Sequence, residues 1–201
     1  MELQPKLIEV HVPSAAEGAV LVLHGGAARR ADMRVSPTQL SVLRMIPIAR
    51  GIARAGDGRL AVFRLLNSRR GWDTTHTPVQ DARWALAEIA DRFGPLPTCS
   101  VGHSLGGRAA LLSAGAPAVR GVVALAPWVY PTDVAPGAAD RRILIVHGAR
   151  DRVASPDRSA ALARRLGARY LSVPEGKHAM LQHSRQFVRP TVEFVLETFA
   201  R

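Results

Sequence analysis

The chain has one cysteine, Cys99, so no internal disulfide framework can hold it together. Its 201 residues are enough to bury a core without staples, and one domain over 1–201 is expected. Lysine is nearly missing: only Lys6 and Lys177 are present. Aromatic residues make up 5%, too few to offer a stacking platform to nucleic-acid bases. No apolar run approaches the ~18 residues that a membrane span needs. The start, "MELQPKLIEVHVPS", lacks the basic opening and long apolar stretch of a signal peptide. These absences point to a soluble cytoplasmic protein with no membrane span.

What is abundant is arginine. The formal net charge is +11, and arginine carries nearly all of the positive charge. The arginines are scattered, in runs no longer than two: Arg29-Arg30, Arg69-Arg70, Arg141-Arg142 and Arg164-Arg165. That pattern reads as a solvated shell, so no nucleic-acid partner is expected.

The chain alternates short apolar runs with longer amphipathic stretches. "GAVLVLHG" (18–25), "RLAVFRLL" (59–66), "TCSVGHS" (98–104), "GVVALAP" (121–127), "RILIVHG" (142–148) and "ARYLSVP" (168–174) read as strands, with "LIEVHV" (7–12) as a possible edge strand. Several are apolar without period-2 alternation, as in a parallel sheet covered on both faces. Helices are expected over 38–55, with a kink or break at Pro47, and over 78–93, burying Val79, Trp84, Leu86, Ile89 and Phe93. Further helices are expected over 105–115, 155–167 and 184–199. The fold class is α/β: a mostly parallel sheet of about six or seven strands with helices on both faces. Only a short loop fits between the strand ending near Pro127 and the one starting near Arg142, so no cap domain is expected.

Between the third of these runs and the next helix stands Gly102-His103-Ser104-Leu105-Gly106, a G-x-S-x-G pattern. A strand-to-helix turn this tight needs small neighbours two positions from the serine. A serine that merely caps a helix does not explain those glycines. A serine hydroxyl becomes a nucleophile only beside a base, and the base needs an orienting acid. "VHGARDRVASP" places Asp151 just past one strand, and "VPEGKHAM" places His178 past the last. All three positions fall at the carboxyl ends of strands, the edge where open α/β sheets bind ligands. "LVLHGGAA" adds His24-Gly25-Gly26 after an early strand, where glycines allow close backbone approach.

In this order, H-G-G, G-x-S-x-G, H-G-x-x-D-x-V and G-x-H, the sequence resembles the α/β-hydrolase superfamily, from about Val20 to the last helix. The resemblance implies the α/β-hydrolase fold, with Ser104 as nucleophile, His178 as general base and acid, and Asp151 as the orienting carboxylate. The N–H groups of Leu105 and Gly26 would form the oxyanion hole, with Ala27 as the alternative to Gly26. "NSRRGWD" (67–73) matches the family's Arg-Gly loop at Arg70-Gly71 and departs from its small polar residues at Trp72 and Asp73.

Asp133 is the reserve acid, and His183 and His76 are the rivals to His178. His24, His147 and His103 are read as hydrogen-bonded or packed scaffold, and Cys99 as a buried apolar residue. Trp72, Trp128 and His76 are expected around the pocket, and Arg29, Arg30, Arg69 and Arg70 at a positive rim that would favour anionic substrates. No cluster has metal-ligand spacing, so neither metal nor cofactor is expected. The expected function is cleavage of a small-molecule carboxylic ester or thioester through an acyl-enzyme. A peptidase or acyltransferase on the same triad, or a binding protein without turnover, are the alternatives. Oligomeric state is left open.

Overall fold

In the computed structural model, which describes residues 3–27 and 33–200, the apolar runs form one sheet. The strands are β1 (Lys6–His11), β2 (Gly18–Leu23), β3 (Leu60–Leu66), β4 (Thr98–His103), β5 (Val119–Leu125), β6 (Arg142–Gly148) and β7 (Arg169–Val173). Their order is β1-β3-β2-β4-β5-β6-β7, with β1 antiparallel to β3 and every other neighbour parallel. The edge strand read at 7–12 is real. β5 starts earlier than the apolar run suggests, because Val119 already pairs with Thr98.

The absence of alternation in the central strands has a direct cause. Along β2, Ala19, Leu21 and Leu23 enter one core while Val20 and Val22 enter the other. The first core is closed by α3 (Thr77–Phe93), α4 (Leu105–Leu112) and α5 (Pro156–Leu166); the second by α2 (Met45–Ala55) and α6 (Ser184–Phe199). Both faces are dry, so neither set of side chains is polar.

The stretch read as one helix over 38–55 is two: α1 (Leu40–Leu43) and α2, broken at Arg44. Pro47 is the physical reason. Its ring excludes the carbonyl of Leu43, and it has no N–H to continue the ladder, so the break falls just upstream. Trp84 corrects the reading of α3. It is exposed, and the buried stripe runs through Val79, Ala82, Ala85, Leu86 and Ile89. Asp81 in the same helix is buried and accepts hydrogen bonds from Ser68 N–H (2.8 Å) and the Ser68 hydroxyl.

β3 lies on one side of β2 and β4 on the other, so the chain reverses its direction of travel across the sheet there. Such a reversal opens a crevice at the carboxyl ends of the two strands. Residues 24–27 leave β2 and Ser104 leaves β4 at that crevice. Between β5 and β6, the described chain holds one turn of 3-10 helix, Ala138–Asp140, and no cap domain. Among the described residues no helix is long and apolar enough to cross a membrane.

Candidate active site

Ser104 sits between β4 and α4 with φ 56° and ψ −121°, a backbone conformation that side-chain-bearing residues rarely adopt. The glycines make it possible. A Cβ on Gly102 would collide with the carbonyl of Gly106, and one on Gly106 would come within 2.5 Å of the His24 carbonyl oxygen. The turn is held by Ser104 N–H to Leu125 O (3.0 Å) and by Arg108 N–H to Ser104 O (3.1 Å). Ser104 makes no side-chain cap to α4. Its hydroxyl faces His178 Nε2 at 3.0 Å instead.

His178 Nδ1 lies 2.8 Å from Asp151 Oδ2, and His147 Nε2 lies 3.0 Å from the same oxygen. The other oxygen, Oδ1, accepts the N–H groups of Val153 (2.7 Å) and Ala154 (2.9 Å). Burial alone would push this carboxyl up. The hydrogen bonds from His147, His178, Ala154 and Val153 outweigh it and hold Asp151 well below the usual carboxylate range. An ionised carboxylate only accepts, so both imidazole nitrogens facing it carry hydrogen. His178 Nε2 is then the acceptor of the Ser104 proton, and His147 Nδ1 accepts from the Ser159 hydroxyl at 2.8 Å. A serine bonded to an imidazole that a carboxylate orients is equipped to lose its proton as it attacks a carbonyl.

Solved structures share the fold that carries these residues. Est1E from Butyrivibrio proteoclasticus superposes with a TM-score of 0.71 at 15% identity, over 98% of this chain and 94% of that one. An alpha-beta serine hydrolase homologue from Coxiella burnetii gives 0.67 at 16% identity, over 98% and 91%. The esterase domain of a Rhodothermus marinus protein gives 0.65 at 17% identity, over 97% and 98%. No family model and no curated protein matches the sequence. The chain has the α/β-hydrolase fold.

On this α/β-hydrolase scaffold, Ser104 and His178 open into a cavity of about 490 Å³. Gly26 (φ 132°) and Leu105 line it beside Ser104, as do Trp72 and Trp128. Leu105 begins α4, so its N–H has no partner within the helix. His76 does not line the cavity. It stands before the first residue of α3 with left-handed backbone, and its ring rests on Trp72, the centroids 5.3 Å apart. Helix α3 begins at Thr77 and fixes His76 behind the tryptophan that meets the cavity. Arg29 and Arg30 lie outside the described residues, and Arg69 and Arg70 are not among the cavity's lining residues. A larger groove, about 810 Å³, lies between α3 and the loop after α4, away from Ser104.

The supporting histidines divide the work. His24 donates from Nδ1 to Gly25 O (2.6 Å) and accepts Asn67 N–H at Nε2 (3.2 Å), fixing the loop that carries Gly26. His183 stands just before α6 and takes no part in the Ser104 contact with His178. His103 Nε2 donates to the carbonyl of His178 (2.9 Å), and the two rings lie 5.0 Å apart. Burial, and then the neighbouring His178, push the His103 pKa down to about 3. The unfolded chain takes up this proton near pH 6.5 and the folded chain only near 3. Below pH 6.5 the unfolded state therefore binds more protons, and stability is lost as the pH drops, at up to about 1.4 kcal/mol per unit. Melting curves at pH 7, 6, 5 and 4 are expected to show this slope, and His103→Gln to flatten it. A variant as acid-labile as the parent would assign the slope to other groups. Buried His24, also held below its ordinary pKa, supplies a slope of the same sign.

Sequence reasoning missed Arg108. It lies in α4, one turn after Ser104, and is buried. Its Nε and Nη2 donate to Asp133 Oδ2 (2.8 Å) and Oδ1 (2.9 Å). The guanidinium sits 4.2 Å from the Trp72 ring centre, 5.1 Å from Tyr130 and 5.8 Å from Trp128. Asp133, the reserve acid, is thus engaged by Arg108 and by Tyr130 N–H (2.9 Å). Arg108→Met leaves that carboxylate buried without its cation, at an expected cost of about 3–5 kcal/mol. Thermal unfolding should drop by roughly 10 °C. Adding Asp133→Asn should restore most of it; an unchanged melting temperature in the single variant would refute the pairing energy.

Proposed function

We propose that the protein is a serine hydrolase acting on a small-molecule carboxylic ester or thioester. The observation that carries this reading is the unbroken line of hydrogen bonds from Ser104 through His178 to Asp151, at the crevice of an α/β-hydrolase sheet. Ser104 Oγ attacks the carbonyl carbon as His178 Nε2 takes the hydroxyl proton. The oxyanion is met by the N–H groups of Leu105 and Gly26. The intermediate collapses, and the alcohol or thiol leaves with the proton from His178. Water then attacks the acyl-serine, loses a proton to His178, and the acid departs as the proton returns to Ser104 Oγ.

No cofactor enters these steps. The esterase neighbours support ester chemistry over other reactions on the same scaffold, and the cavity suits a short or medium acyl group between Trp72 and Trp128. The test is intact mass after exposure to a small fluorophosphonate. One adduct per chain is expected. A folded chain that takes up none has no activated serine, and the hydrolase reading fails with it.

A further inference from the structure

Two arginines stand at the site, and they differ in what neutralises them. Arg108 is held by both oxygens of Asp133. Arg44 lines the cavity itself, and among the described residues no carboxylate forms an ion pair with it. The described lining of the cavity contains no Asp or Glu. Arg44 Nε is shut off from solvent and has no acceptor. Arg44 as a residue meets the cavity, and a ligand that brings an acceptor to its guanidinium gains a charge-assisted hydrogen bond, worth about 1.5–3 kcal/mol.

The backbone beneath Arg44 is set. It occupies the break between α1 and α2, and its N–H donates to Leu40 O at 3.0 Å. Ser41, one turn earlier, lines the same cavity. Its Oγ accepts from Gln39 Nε2 at 2.8 Å, which leaves the hydroxyl hydrogen to donate elsewhere. A planar guanidinium with a hydroxyl nearby matches a planar two-oxygen acceptor. Arg44 is the sole Arg or Lys among the described lining residues, so one negative charge is balanced there and a doubly charged phosphate is not. Trp72 and Trp128 supply apolar walls for a spacer.

The geometry points to Arg44 as a specificity-determining residue that, with Ser41, holds a free carboxylate of the substrate. The substrate class is then a half-ester: one carbonyl presented to Ser104, an apolar spacer, and one carboxylate on Arg44. This rests on the hydrolase reading for the reacting end, but the carboxylate subsite can be tested without turnover. Burial lowers the Arg44 pKa from its ordinary value, and its charge is among those that depress His103.

The experiment pairs two ligands of one shape, 3-phenylpropanoate and 3-phenylpropanamide, titrated against Ser104→Ala by tryptophan fluorescence. The carboxylate should bind about tenfold tighter or more, the size of one charge-assisted hydrogen bond. Adding Arg44→Met should bring the ratio near one, and Arg44→Lys should keep part of it. Equal binding of the two ligands, a ratio untouched by Arg44→Met, or no saturable binding of the carboxylate overturns the proposal. In the otherwise unaltered enzyme, the kcat/KM ratio of p-nitrophenyl hemiglutarate over p-nitrophenyl pentanoate should fall about tenfold in Arg44→Met. A carboxylate preference that needs Arg44 in a chain that hydrolyses neither ester keeps this subsite and sinks the hydrolase reading. Hydrolysis of both esters with no dependence on Arg44 does the reverse.

Discussion

Replacing Ser104 by alanine is expected to remove about 10⁴–10⁶ of kcat on a p-nitrophenyl ester and all of the fluorophosphonate adduct. Among the described residues the hydroxyl is the group hydrogen-bonded to His178 Nε2, at 3.0 Å, and its removal leaves the base with water to deprotonate. The residual rate should stay above that of buffer, because the proposed oxyanion donors, the Leu105 and Gly26 N–H groups, are left in place beside the cavity. Stability should barely change. Ser104 caps nothing, and alanine carries the same Cβ in the same φ 56° turn. A stable variant that hydrolyses the ester within tenfold of the parent would move the reaction to another group.

Asp151→Asn should lower kcat by about 10⁴ with little change in KM. Asp151 accepts four hydrogen bonds: two from backbone N–H groups at Oδ1 and two from imidazoles at Oδ2. An asparagine that keeps its oxygen toward Val153 and Ala154 must turn its NH₂ toward His147 and His178. His178 would then present Nδ1 as acceptor and carry its hydrogen on Nε2, facing Ser104 with the wrong tautomer. Raising pH should not rescue the variant, since the defect is where the proton sits. The pH–rate profile of Asp151→Asn beside that of the parent checks this. A variant that regains parental kcat at high pH would show that charge, rather than tautomer, is what Asp151 supplies.

The fold and the turn that carries Ser104 were legible because both rest on local rules. Apolar runs without alternation mean strands covered on two faces, and the two cores that divide β2 bear that out. The G-x-S-x-G glycines mean a turn with no room for side chains, and Gly102 against Gly106 is that turn. What escaped was side-chain pairing across distance. Arg108 reads as an ordinary helix arginine until Asp133, well along the chain, is seen to lie against it. Arg44 reads as one more member of a solvated shell, and only the break ahead of Pro47 brings it to the cavity. Trp84 went the other way. Its size argued for burial, and the stripe of α3 passes it by.

The position of Arg108 bears on how this pocket can be reshaped by mutation. The helix that begins after Ser104 carries Arg108, and Arg108 touches Trp72, Trp128 and Tyr130 while gripping Asp133. One side of the pocket is therefore indexed to the same helix that Ser104 precedes, and a change there disturbs an ion pair and three rings together. Ser41 and the exposed Val153, which also line the cavity, carry no such tie. Laboratory selection for bulkier substrates should collect its substitutions at Ser41 and Val153 and leave Trp72 and Trp128 in place, so the route by which new specificities arise is already drawn in the ancestral packing.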